Sequence, residues 1–557
     1  MKKLIFLLLI STSLFSQNIN VNNNFSYDLL RNSILNNKLK TDFTLNIRPI
    51  DDSSFDSLFY DENKIIYKNK EETILIKSLG IDYFFDYNSH HPYNRNNGTM
   101  IPNRGYQHII SPGLFFKIGP IDLQFKPEHL YSENKNFQGF WEGHYPLIWA
   151  KRYRLWNHID MPERFGLKNH NKTTLGQSSI RFNIKNFSIG FSNENIWWGP
   201  SIRNSIMMSN NASGFKHITF NTRKPIKTFI GNFEWQFITG KLESSGYNPP
   251  RKDYEYQGRK LFVPKTNQNG ETDDWRYLQG YILSYSPKWI DGLSLGFIRW
   301  VQMYSAFLEG EYSWIEGTPG YFPVFRNLFR KNDKSENIEY QSNEAAGVFM
   351  KWLWRDSKAE FYFEFHLNDA KQNIRDFILD SDHSRASTIG LQKIFKISKS
   401  DFLFNWEWTQ MEQSASRLLR NAASWYEHSY VYDGYTNKGE VLGSSIGPGS
   451  NSHYFSLNKI NDHYKIGLGL EIIDHDNDFY HEAFSSAQDF RRYWKDINFH
   501  FNYDKKFKNF NLSGNLVYIK SLNYQWELDD FATPYYHPGR DIDNFHLSLK
   551  FTYFGNW

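Results

Sequence analysis

The stretch "AEFYFEFHLND", residues 359 to 369, alternates without a break. Phe361, Phe363, Phe365 and Leu367 fall on one face of an extended chain; Glu360, Tyr362, Glu364 and His366 fall on the other. A two-residue period is the signature of a strand whose faces meet different media. Glutamate opposite phenylalanine is costly if both faces meet lipid. It is acceptable if one face lines a wet lumen. The same pattern recurs in "DFLFNWEWTQ" (401–410), "INFHFNYD" (497–504), "SIRFNIK" (179–185) and "NFEWQF" (232–237). A soluble β-sandwich also alternates, but seldom with so many large aromatics facing outward.

The rest of the composition fits a membrane barrel. The mean hydropathy of −0.63 is polar, yet Phe, Trp and Tyr make up 18% of the 557 residues. After the leader there is no apolar run long enough to span a bilayer as a helix. Outer-membrane barrels combine polar averages with aromatic collars at both interfaces. The chain has no cysteine, so its stability must come from a large core, a membrane or both. A net charge of +4 is small for this length and argues against nucleic acid as partner.

Residues 1–16 read as a signal peptide: Lys2 and Lys3, an apolar run from Leu4 to Ile10, and small residues before a cut expected near Ser16–Gln17. No cysteine follows, so no lipid anchor is expected there. Residues 17–72 form an N-terminal region. "FSYDLLRNSILNNKLK" (25–40) puts Tyr27, Leu30, Ile34 and Leu35 on one helical face. "TDFTLNIRPI" (41–50) alternates as a strand ended by Pro49, and 51–72 reads as a loop or cap. The barrel is expected over 73–557. Its last strand, "FHLSLKFTYFGNW" (545–557), alternates and ends on Trp557. A barrel has no free edge, so this strand must pair with an early one. Residues 247–275, 305–342 and 412–453 are too long for turns and belong outside the cell. No repeat of fixed period and no linker to a second large domain is visible.

"NENIWWGPSIRNSIMMSNNASGF" (193–215), followed by "TRKPIKTFIGNFEWQFITGKLE" (222–243), resembles the central signature of the capsule assembly Wzi family. "LLRNSILNNKLKTDFTLNIRPI", "IDLQFKPEHLY", "AEFYFEFHLNDA" and "WYEHSYVYDGYTNKGEVLGSSIGPGSN" resemble other family segments, in order along nearly the whole mature chain. The resemblance implies a closed antiparallel outer-membrane β-barrel of about 18 strands with a small N-terminal helical element. It also implies a lectin-like role: holding capsular or exopolysaccharide at the cell surface.

Two segments could meet a sugar. Aromatic rings take the C–H faces of sugars; amides and charges take the hydroxyl rims. Trp197, Trp198, Asn204, Asn210 and Asn211 supply both, with Gly199-Pro200 fixing the chain direction. If the pair lies on a strand, at most one of Trp197 and Trp198 faces the lumen. The same block also reads as an interface belt or a structural turn plugging the barrel. The second segment, "GHYPLIWAKRYRLWNHIDMPERFG" (143–166), interleaves Lys151, Arg152, Arg154 and Arg164 with Tyr145, Trp149, Tyr153 and Trp156. Arginine forks suit the uronate groups of acidic polysaccharides. A positive membrane-flanking loop against outer-membrane lipid is the alternative.

Enzymatic readings are weaker. Glu360 and Glu364 share a strand face at roughly 13 Å, whereas glycosidase carboxyl pairs need roughly 5 to 9.5 Å. His90-His91 and His475-Asp476 lack a third metal ligand, and no Gly-x-Ser-x-Gly elbow occurs. Neither metal nor cofactor is expected. A non-enzymatic monomer that binds surface polysaccharide is the expected function. A porin-like glycan or solute channel and an outer-membrane hydrolase are the rivals. A part in surface secretion, beside capsule-export machinery, stays open on sequence.

Overall fold

The computed structural model describes residues 18–21, 24–51, 55, 64–71, 73–267, 269–308, 314–315, 318–319, 321–325, 342–368, 374–420, 422–489, 491–533 and 535–555. Residues 1–17, where the signal peptide is expected, most of the 305–342 connection and Trp557 lie outside them.

The chain closes into an antiparallel ring of eighteen strands. β1 (Ile74–Asn88) and β2 (Gly105–Ile118) precede two interrupted strands, β3 (Ile121–Phe125 and Glu128–Ser132) and β4 (His170–Thr174 and Ser179–Ile184). Next come β5 (Phe187–Ser192), β6 (Lys216–Thr222), β7 (Gly231–Leu242), β8 (Arg276–Pro287) and β9 (Leu293–Tyr304). β10 (Asn343–Trp354), β11 (Ala359–Asn368), β12 (Arg385–Ile397), β13 (Ser400–Gln410) and β14 (Asn451–Ile460) continue the ring. β15 (Tyr464–Asp474), β16 (Lys495–Lys506), β17 (Phe510–Leu522) and β18 (Ile542–Tyr553) complete it. The break in β3 falls at Pro127, which has no N–H for the ladder.

β18 closes on β1, in register from His546 opposite Asn88 to Tyr553 opposite Ile81. At the end of that seam Gly80 adopts φ +75°, and a Cβ there would lie 2.5 Å from the Tyr553 carbonyl oxygen. Only glycine fits this approach. Beyond it, Lys64–Lys68 continues the pairing along Leu75 to Ser78.

The faces divide as the period requires. On β11, Glu360, Tyr362, Glu364 and His366 are buried inside, while Phe361, Phe363, Phe365 and Leu367 are partly exposed outside. The strand ends that bound the long connections, 89–104, 133–169, 193–215, 243–275, 305–342, 369–384, 411–450, 475–494 and 523–541, all lie at one end. The opposite end has short turns such as 398–399 and 461–463. Outer-membrane barrels carry long loops outside and short turns in the periplasm, so both ends of the closing strand pair are oriented.

The lumen is filled in layers. At the short-turn end lies helix α1 (Asn24–Leu35). Its Tyr27, Leu30, Ile34 and Leu35 pack with Leu353, Leu403 and Ile460 at the strand ends. Residues 41–50 form no continuous strand, contrary to the reading of their alternation. Only Ile47–Arg48 and Ile50–Asp51 are extended pairs. Leu45 is left-handed at φ +59°, and the wall takes the place of a ladder. Glu234 accepts from the Thr44 N–H at 3.0 Å, and the Asn46 amide donates to Ser284 and Ser294. Above this, residues 193–215 cross the lumen around a core that includes Trp198, Ile206, Met207, Met208 and Trp300. No helix among the described residues is long and apolar enough to cross a membrane.

Candidate functional site

The Trp-Trp block is not part of a barrel strand. Trp197 and Trp198 form a two-residue strand inside the lumen, paired with Arg48 and Ile47. Both rings are buried, at 4% and 0% exposure. Alternation on the barrel wall therefore does not govern them. The Trp198 indole N–H donates to Gln236 at 2.8 Å, and that of Trp197 to the Ser201 carbonyl at 3.1 Å. Gly199 follows at φ +101°, where a Cβ would lie 2.5 Å from the Glu364 carboxylate. Glu364 accepts from the Ser201 N–H and hydroxyl. Glu407 accepts from the N–H groups of Ile202, Arg203 and Asn204. Arg203 forks onto Glu471 at 2.8 and 2.7 Å. The amides are used the same way: Asn210 donates to the Asn96 carbonyl and Asn211 to that of Val441. Asn204 accepts from Ser444. The block lies across the lumen, and wall carboxylates hold it there.

The basic segment is a helix rather than a loop: α2 (Pro146–Asn157), with proline in its first turn. Trp149, Tyr153 and Trp156 share one helical face and pack with Phe140, Phe479, Phe484 and Trp526. The partner helix is α3 (Asn477–Ser486). Trp149 and Trp156 are each 2% exposed, so neither offers a face to solvent. Arg152 lies partly buried beside them, 5.0 Å from the Trp156 ring centre and 3.6 Å from Asp476. Its burial pulls its pKa down. Burial pushes Asp476 up to about 7 against the pull of Arg152. Lys151 and Arg154 both meet Glu482, and Arg164 donates to Asn136 and the Asn134 carbonyl. Of these residues Arg154 keeps the most exposed side chain among those paired with Glu482, at 45%.

Arg154 borders an open cleft of about 430 Å³ beside α2, with His158, Leu261, Val263 and Tyr432. The His158 and Tyr432 rings stack at 6.1 Å and 19°. This hollow lies at the long-loop end and joins a cation to partly exposed ring surface. Tyr432 was not singled out by sequence, although it sits within the "SYVYDGY" cluster of tyrosines.

The side chains weighed for catalysis have other work. Glu360 lies 3.5 Å from both Arg31 and Lys351. Asp496 is hydrogen-bonded by Ser521 at 2.6 Å and meets His475 at 2.8 Å; His91 is 3.4 Å from the Ser521 hydroxyl. A nucleophilic serine passes its proton to a histidine that the acid orients. Here the serine donates to the acid itself. Among the described residues no group of three side chains could hold a metal.

The model of the family "Capsule assembly protein Wzi" matches residues 116–477. No curated protein sequence matches this chain. Among solved structures, the chain resembles a protein from Escherichia coli described as Wzi, an outer-membrane protein involved in group 1 capsule assembly and a carbohydrate-binding β-barrel. Identity is 11%, over 97% of this chain and 100% of that one, with a TM-score of 0.58. Two Acinetobacter baumannii proteins are more distant. OccAB1 is 8% identical over 88% and 98% of the two chains, with a TM-score of 0.39. OccAB2 is 8% identical over 85% and 97%, with a TM-score of 0.37. With more than half its length under the family model, the chain belongs to the capsule assembly protein Wzi family and is an integral outer-membrane β-barrel.

Proposed function

We propose that this protein binds surface polysaccharide at its extracellular cap and holds it at the cell without chemical turnover. The observation that carries the reading is the cleft beside α2, where Arg154, His158 and Tyr432 meet on the long-loop face. Trp149, Trp156 and Arg152 act behind it by fixing the helix. Trp197, Trp198, Asn210 and Asn211 act deeper still by fixing the plug, and Arg164 by tying down the loop after α2. The carbohydrate binding described for the E. coli relative supports the reading. Export by the N-terminal signal peptide, action as a monomer and cooperation with capsule-export machinery belong to the same proposal.

The test compares cell-bound with shed polysaccharide in a deletion strain carrying variants, and retention of purified acidic polysaccharide by the detergent-solubilised protein. Arg154→Ala should weaken retention and flatten its salt dependence, because charge attraction is screened over about 10 Å at 0.1 M. Tyr432→Ala should weaken it roughly fivefold at every salt concentration, the scale of one aromatic contact of about 1 kcal/mol. Unchanged retention in both variants would remove the cleft from the proposal. Steady ion conductance in planar bilayers would favour a channel instead.

A further inference from the structure

The lumen is filled unevenly. Between α1 and the plug lies a cavity of about 300 Å³, walled by the ring from β12 round to β1. That is the lower end of the size range of small-molecule sites, roughly 300 to 1,000 Å³.

Its charge is unbalanced. Arg48 sits between the rings of Tyr27 and Trp197, 5.1 Å from each centre, and its Nε donates to the Leu45 carbonyl. Among the described residues it has no carboxylate within ion-pair distance. Burial and Arg31 pull its pKa down to about 10, which leaves it charged at neutral pH. Lys550 lies 4.2 Å from the Phe84 ring centre and likewise has no carboxylate at ion-pair distance among the described residues. Carboxylates act on both only from beyond ion-pair distance, Asp28 and Glu360 on Arg48 and Asp82, Glu128 and Asp504 on Lys550, so an anion that can approach either cation directly is attracted to it.

The rim of the cavity is short of donors. The side-chain oxygens of Asn96, Asn210, Gln392 and Asn458 are buried without a protein hydrogen bond. Such acceptors suit hydroxyl groups. Residues of the short-turn end border the cavity. There Asp28 of α1, 48% exposed, pairs with Lys465, which also meets Asp504 at 2.8 Å.

We propose that this cavity is a periplasm-facing site for a short acidic saccharide: Arg48 and Lys550 pair with its carboxylates, and the amide oxygens accept from its hydroxyls. The site is separate from the extracellular cleft and does not depend on it.

The absence of cysteine makes a direct test available. Ser513 borders the cavity and stands in register with Asp504 and Lys550 on the flanking strands. In the full-length Ser513→Cys protein in detergent, the new thiol is the sole one. A negatively charged methanethiosulfonate should modify it about tenfold or more faster than a positively charged one. Adding Arg48→Met and Lys550→Met should erase that preference, in protein whose heat-modifiable gel band confirms folding. Digalacturonate should slow the modification several-fold, whereas lactose and inorganic phosphate should not. Equal protection by phosphate would overturn the saccharide assignment. Faster reaction with the cationic reagent, or no protection by digalacturonate, would overturn the site. If Ser513→Cys does not fold, Ser548→Cys in the same cavity carries the same test. Long polysaccharide cannot enter this cavity, so its retention at the cleft is read independently of the labelling.

Discussion

Glu407 points inward from β13 and receives four hydrogen bonds. Three come from the Ile202, Arg203 and Asn204 N–H groups at 2.9, 3.1 and 2.7 Å, the fourth from the Tyr362 hydroxyl at 2.7 Å. A carboxylate gathering several N–H donors fixes a loop as a metal ion would, and such charge-assisted bonds are the strong ones. Glu407→Gln keeps the size but turns an NH2 toward donors. At about 1.5 to 3 kcal/mol per hydrogen bond to a charge, it should loosen the plug by about 3 kcal/mol. The measurements are the temperature at which the folded gel band converts and brief openings in planar bilayers, which the native protein should lack. An unchanged conversion temperature and a silent bilayer would mean that the plug is held elsewhere. At this scale the sequence was half legible. The lumenal face of Glu407 follows from alternation. Its partners in the plug do not, because they lie some 205 positions away in the chain, and no local pattern encodes a contact of that span.

At the scale of elements, the cap is two helices clamped over an acidic cluster. Burial pushes Asp476 up to about 7 and Asp478 up to about 6. Burial and these two carboxyls hold Glu427 well above the ordinary range. Arg152, Arg154 and Glu482 are charges nearby, with Glu412 and Arg417, the latter 3.5 Å from Asp478. The folded cap therefore keeps protons that an unfolded aspartate loses above about pH 4, and linkage makes stability fall as pH rises through the folded values. Two histidines act oppositely at lower pH: burial pulls His144 down to about 3 and His428 to about 4. Each favours folding as pH rises toward 6.5. In the unfolded chain both histidines are half protonated at about pH 6.5 and neutral only by about pH 8, so over that range their gain offsets most of the loss from the Asp476 proton. In a His144→Gln, His428→Gln background, amide exchange in α2 and α3, corrected for intrinsic rate, should therefore be several-fold faster at pH 8 than at pH 6.5. Asp476→Asn, which can still accept from the Phe479 N–H that caps α3, should flatten that slope. Equal exchange at the two pH values would discard the cluster as a determinant of cap stability. The helix itself was legible in principle: Trp149, Tyr153 and Trp156 recur at helical spacing behind Pro146. The interleaved charges hid it. The 41–50 stretch failed the other way, since its true alternation was overridden by bonds to the wall.

At the scale of the molecule, one repeated period predicts the barrel, because each strand meets the same two media as its neighbours. Closure is the step the period alone cannot place, and it decides whether the ring survives. Along the seam, Phe551, Thr552 and Tyr553 face Tyr83, Asp82 and Ile81 on one side. They face Leu512, Asn511 and Phe510 on the other. The Thr552 hydroxyl donates to Asp82 at 2.7 Å, and Phe551 lies 5.0 Å from Phe510, ring to ring. Removing residues 551–557 would strip these rungs from both neighbours and leave backbone donors and acceptors of β1 and β17 unpaired at the membrane. Each such group costs several kcal/mol in lipid, where no water replaces the partner. The truncated chain should therefore fail to reach the outer-membrane fraction and should show no heat-modifiable band, while the full chain does both. Phe551→Ala alone removes a side chain but no rung, so it should still insert, with a lower conversion temperature. Normal insertion of the truncated chain would mean that Lys64–Lys68 can slide along β1 and close the ring without β18's last turn of pairing.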